Sequence, residues 1–142
     1  MPSPIIGPVV GLTLWTFLVE GWMYATRLPA LAGKPMPPTT TIEDINKIVP
    51  PSTRWKADNY NHLHEQPTVF YALALSLAHV GASQTDVRLA WTYVGIRVLH
   101  TLVQCLGNKI ILRFQVFISS SAVLLAIAAK LGLALYKQKL LF

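Results

Sequence analysis

Four stretches of the chain are apolar enough to be buried in lipid or in a helical core. The first runs from Ile5 to Ala25 with Glu20 as its single charge, and the second from Thr68 to Ala82 with none. The third runs from Leu89 to Leu106 and is interrupted by Arg97 and His100; the fourth runs from Phe114 to Ala129 and on past Lys130 to Tyr136. A helix needs about 20 residues to cross a bilayer, and the first and fourth stretches meet that outright. The second and third meet it once their polar ends are helical and buried against other helices. The pattern predicts transmembrane helices at about 4–27, 58–82, 86–106 and 110–136, a loop over 28–57, and one domain over residues 1–142.

The connections fit a bundle. The loop between the first two helices holds Pro29, Pro35, Pro37, Pro38, Pro50 and Pro51. Within it Thr40 and Glu43 have the spacing of a capping box and predict a short helix ending near Val49. The links at Gly81–Thr85 and Gly107-Asn108 are short, so the helices they join are antiparallel neighbours. Gly7 and Gly11 form a GxxxG pair on the first helix and predict a close helix contact. Ala30-Leu31-Ala32 has the form of a signal-peptidase site, but no Lys or Arg precedes the apolar segment, so the helix is expected to be retained.

Composition strengthens the membrane reading. Of 142 residues, 53% are apolar and 13% charged, with a mean hydropathy of +0.46. Soluble domains carry about 25% charged residues. The net charge of +6 comes from basic residues scattered singly, which excludes a phosphate-tracking patch and a nucleic-acid partner. Four crossings put both termini on one side. Arg27, Lys34, Lys47, Arg54, Lys56, Lys109 and Arg113 fall on the other side, against Arg88, Lys130, Lys137 and Lys139 on the side of the termini. The positive-inside rule makes the termini non-cytoplasmic. The expected location is the endoplasmic reticulum in a eukaryote or the inner membrane in a bacterium.

Polar residues inside such helices carry the candidate chemistry. Tyr93, Arg97, His100, Gln104 and Asn108 recur at intervals of four, three, four and four, a single helix face that must look away from lipid. Asn61, Glu65 and Thr68 share a face of the second helix. By helix rise, Asn61, Glu65, His100, Gln104 and Arg113 fall in one layer near the cytoplasmic boundary, where an anion could enter. Arg97 lies close in depth to Glu20 and Glu65, and a buried ion pair is its expected role.

Rival chemistries fit less well. His79 lies about 5 Å and His100 about 22 Å from the terminal side, too far apart in depth to clamp one haem. His62-Leu63-His64-Glu65 lacks the HExxH spacing of a metal site, so no metal is expected. Cys105 is the lone cysteine, which excludes an internal disulfide, and in an apolar helix end it is expected to be inert. GxSxG, GxGxxG and P-loop motifs are absent from the sequence.

The string Asn61-His62-Leu63-His64-Glu65-Gln66-Pro67 resembles the Asn…Glu…Pro entry to the second helix of the MAPEG superfamily, the membrane-associated proteins in eicosanoid and glutathione metabolism. Arg97-Val98-Leu99-His100-Thr101 followed by Arg113 resembles that family's Arg-x-x-His-Thr…Arg signature. The resemblance implies a homotrimer of four-helix subunits that binds glutathione at the subunit interface near the cytoplasmic face. It places Asn61, Glu65, Arg97, His100 and Gln104 in the glutathione site, and gives Arg113 the catalytic role of holding the thiolate. It implies a membrane glutathione transferase or peroxidase acting on a lipophilic electrophile or lipid hydroperoxide; the alternative is a non-catalytic lipid-binding member. The departures from the pattern are Glu65 four rather than three residues after Asn61, Tyr60 in place of Arg, and Gln104 and Phe117 in place of Tyr.

Overall fold

The computed structural model describes residues 3–139. The described chain is all helix and turn: α1 (Ile6–Leu31), α2 (Ile42–Ile48), α3 (Pro51–His62), α4 (Gln66–Val80), α5 (Gln84–Leu106) and α6 (Ile110–Lys137). The helices α1 and α6 are each long and apolar enough to cross a membrane.

The sequence pattern predicted one helix over 58–82, and the structure divides that region in two. α3 begins earlier, with Pro51 in the first helical turn, where a missing N–H costs nothing. It stops at His62, and α4 restarts at Gln66 with Pro67 in its first turn. The cause is Pro67: it lacks an N–H, and its ring would strike the carbonyl four residues back, that of Leu63. The chain therefore makes tighter bonds across the break, from His64 N–H to Asn61 O (2.9 Å) and from Glu65 N–H to His62 O (3.4 Å).

The short helix α2 forms as expected, but its capping box lies one residue further on than Thr40 and Glu43. Thr41 is the N-cap, its hydroxyl accepting from the Asp44 N–H (3.2 Å), while Asp44 Oδ2 accepts from the Thr41 N–H (3.1 Å). The Thr41 hydroxyl also donates to Asp44 Oδ2 (2.7 Å), and this bond, then the one from the Thr41 N–H, holds the Asp44 carboxyl below its ordinary range. A second capping box, Ser83 with Asp86, starts α5.

α5 is the most enclosed helix. Its inward face carries Val87, Ala90, Tyr93, Val94, Arg97, His100, Thr101 and Gln104, all buried. α6, α3 and α1 pack around it. α4 lies against α6 and α1, so the broken α3–α4 element crosses the bundle, with its first half on α5 and its second on α6. Phe70 of α4 stacks on Tyr93 at 4.7 Å in the centre of the core. The GxxxG pair of α1 meets Trp91 of α5: a Cβ added at Gly11 would come within 3.1 Å of the indole ring. At the far end Asp86 pairs with Lys130 of α6 at 3.3 Å. α1 buries only a narrow stripe, Pro8, Leu12, Val19 and Met23, and leaves Leu14, Phe17, Leu18 and Leu28 exposed. α6 does the same with Ile111, Phe114, Ile118 and Leu125. Apolar surface this extensive marks a partner or membrane surface.

Candidate functional site

The break between α3 and α4 has a direct consequence for Arg97. In an unbroken helix the His62 carbonyl would accept the Gln66 N–H. Here its backbone bond is the long one from the Glu65 N–H (3.4 Å), and it also accepts from Arg97 Nη2 at 3.0 Å. Arg97 is wholly buried, and its Nε and Nη1 have no hydrogen-bond partner among the described residues. Its guanidinium lies 5.9 Å from the Phe117 ring. The expected ion pair with Glu20 or Glu65 is not formed. Glu20 accepts from the Tyr24 hydroxyl (3.2 Å) and lines a separate cleft with His64, between α1 and the α3–α4 element. Glu65 instead lies 2.8 Å from His62 Nδ1, bridging the break on its own chain.

In front of Arg97 lies a cleft of about 270 Å³, lined by His62, His100, Ile110, Arg113, Phe114 and Phe117. His100 is buried, its ring 6.3 Å edge-on from that of His62 and 6.1 Å from that of Phe117, and its Nδ1 is unpaired among the described residues. Arg113 stands in the first turn of α6, steadied by a bond from Nη1 to Asn108 Oδ1 (2.8 Å). Asn108 itself has left the polar stripe. It lies beyond the end of α5, in the left-handed region at φ 43°, where Asn is among the better-tolerated residues. The first turn of α6 contains no acidic residue and no side-chain cap, so its free N–H groups add positive potential to this end of the cleft.

The six residues picked out by sequence therefore divide. His100 and Arg113 line the cleft, and Arg97 sits behind it. Gln104 is fully buried and committed elsewhere, its Oε1 accepting from Asn59 Nδ2 at 3.0 Å. Asn61 and Glu65 are exposed on this subunit's surface and do not line the cleft. Other residues at the site were not chosen from sequence: His62, Ile110 and Phe114 line the cleft beside Phe117, which was noted only as a departure from the pattern, and Asn59 holds Gln104. The His62–Glu65 spacing was a usable signal for the first; nothing in the sequence singles out Asn59 over Asn61. A further cluster was also unmarked: Gln66 Oε1 accepts from Tyr93 (3.2 Å) and Ser120 (2.9 Å), while its Nε2 donates to Ser121 (2.8 Å). It joins α4, α5 and α6 one turn below Arg97.

Chemically, the cleft offers one arginine, two histidines and a helix N-terminus to one small volume, with an aromatic wall and the buried Arg97 beyond it. That set suits an anion carrying an apolar portion. The family model of the MAPEG family matches the chain over residues 5–133. No curated protein and no solved structure matches it.

Proposed function

The chain belongs to the MAPEG family of glutathione-related membrane proteins, and from that membership we propose that it is a membrane glutathione transferase or peroxidase. It binds glutathione as a cosubstrate and attacks a lipophilic electrophile, or reduces a lipid hydroperoxide, that arrives through the bilayer. The observation that carries this reading is the buried Arg97, with two unpaired nitrogens, behind a cleft that also holds Arg113. A buried donor without a partner costs about 1–3 kcal/mol, and a bound anion relieves that cost. Arg113, near the cleft mouth, is the catalytic cation: it stabilises the glutathione thiolate over the thiol.

The subunit is proposed to cross the membrane four times and to act as a homotrimer. Small-ligand pockets usually measure about 300–1,000 Å³. A cleft of about 270 Å³ beside the exposed Asn61 and Glu65 fits a site that a second copy completes. In that arrangement Asn61 and Glu65 meet the part of glutathione held by the neighbouring subunit, while Arg97 and His100 meet it from this one. Gln104, bonded to Asn59, ties α5 to α3.

A second reading is a non-catalytic lipid-binding member. Ile110, Phe114 and Phe117 favour it, because they make half of the cleft apolar. The melting temperature of the detergent-purified protein with and without millimolar glutathione separates the two. A ligand at a hundred times its Kd stabilises the folded state by about 2.7 kcal/mol. The expected result is a clear upward shift that Arg113→Ala abolishes, together with thiol conjugation. A shift with fatty acid and none with glutathione rejects the enzyme.

A further inference from the structure

An arginine stabilises a thiolate but does not take the proton that leaves the thiol, because its guanidinium stays protonated at any working pH. The proton needs another acceptor at the cleft. We infer that His62 is that acceptor, a general base oriented by Glu65; the inference rests on the glutathione reading above.

The geometry carries it. His62 lines the cleft together with Arg113, so a thiol placed between them meets a base on one side and a cation on the other. Its Nδ1 lies 2.8 Å from Glu65 Oε2. A carboxylate accepts only, so Nδ1 is the protonated nitrogen and Nε2 carries the free lone pair. Among the described residues Nε2 makes no hydrogen bond. The arrangement is that of a base held by a third group, as in nucleophile–base–carboxylate triads. The three-residue spacing keeps the pair within reach across the break.

His100 is the competing candidate and is placed worse. It is buried, has no carboxylate partner among the described residues, and shares the cleft wall with Arg113. His62 faces Arg97 and His100 from α5 and Arg113 from α6, but has Glu65 at hydrogen-bond distance to offset the charge it acquires.

The Nε2 lone pair takes the thiol proton, and the S–H electron pair stays on sulfur beside Arg113. With a chloronitrobenzene as electrophile, that pair forms the new S–C bond. The C–Cl bond breaks and chloride leaves with its electrons. The imidazolium then passes its proton to water at the open side of the cleft.

The test is the pH profile of kcat/KM for conjugation of glutathione to a chloronitrobenzene, read alongside the glutathione-dependent melting shift. His62→Gln is expected to keep the melting shift and to lose about 100-fold or more in rate at neutral pH. Its rate should climb with hydroxide and approach the native rate at alkaline pH, where the thiol ionises unaided. Glu65→Gln acts on an exposed side chain and serves as a second, structurally mild variant. It is expected to displace the acid limb of the profile, with Glu65→Asp restoring part of the native behaviour. A His62→Gln enzyme with the native rate and profile overturns the assignment while leaving the glutathione site standing. A loss that is uniform across pH also overturns it, since that marks a positioning role. No melting shift in the native protein removes the glutathione reading, and the base with it.

Discussion

At the scale of single residues, the bond between Asn59 and Gln104 is the most exposed to a direct check. Both side chains are fully buried, and each is held by the other at 3.0 Å. Gln104→Leu leaves the Asn59 amide without an acceptor and should destabilise the protein by about 1–3 kcal/mol. Adding Asn59→Leu should recover much of that loss, because no unpaired polar group then remains. A double-mutant cycle by denaturant titration in detergent measures the coupling. The pair also explains why Asn61 was the residue chosen from sequence. Asn59 and Asn61 lie two positions apart, about 200° around a helix, so only one can face the core. The face drawn through Asn61, Glu65 and Thr68 assumed an unbroken helix. With the break at 63–65 the phase is lost, and the inward position falls to Asn59.

At the scale of elements, the polar stripe of α5 was legible because a continuous helix keeps its 3.6-residue period, and Tyr93, Arg97, His100 and Gln104 are all buried on it. The α3–α4 break was legible only in part. Pro67 was visible, but a proline in the second position of a helix and one in its interior look alike until the start is known. The consequence reaches the site through the His62 carbonyl. Pro67→Ala should let the helix run through 63–65, turn that carbonyl along the helix axis to the Gln66 N–H and weaken its bond to Arg97. Far-UV circular dichroism should report a small gain in helix. The glutathione-dependent melting shift should shrink, because a hydrogen bond to a charged group contributes about 1.5–3 kcal/mol to holding Arg97 in place.

At the scale of the whole molecule, the apolar stripes explain why four helices could be read at all: α1 and α6 put more large side chains outward than inward. What no single-chain pattern encodes is which outward residues meet lipid and which meet a second copy, since both surroundings select the same side chains. The proposed shared site makes that division measurable. Light scattering of the protein–detergent complex is expected to give three chains per particle, and a stable monomer would remove the role given to Asn61. The seam between α1 and α5 carries a different kind of consequence. Trp91 lies against Gly7 and more tightly against Gly11, and is itself half exposed. Positions 11 and 91 thus divide one fixed volume between them. A chain with alanine at 11 would need the indole at 91 to give by a few tenths of an ångström. Two sites eighty residues apart are therefore coupled, and what position 11 tolerates is set by how far the side chain at 91 can shift.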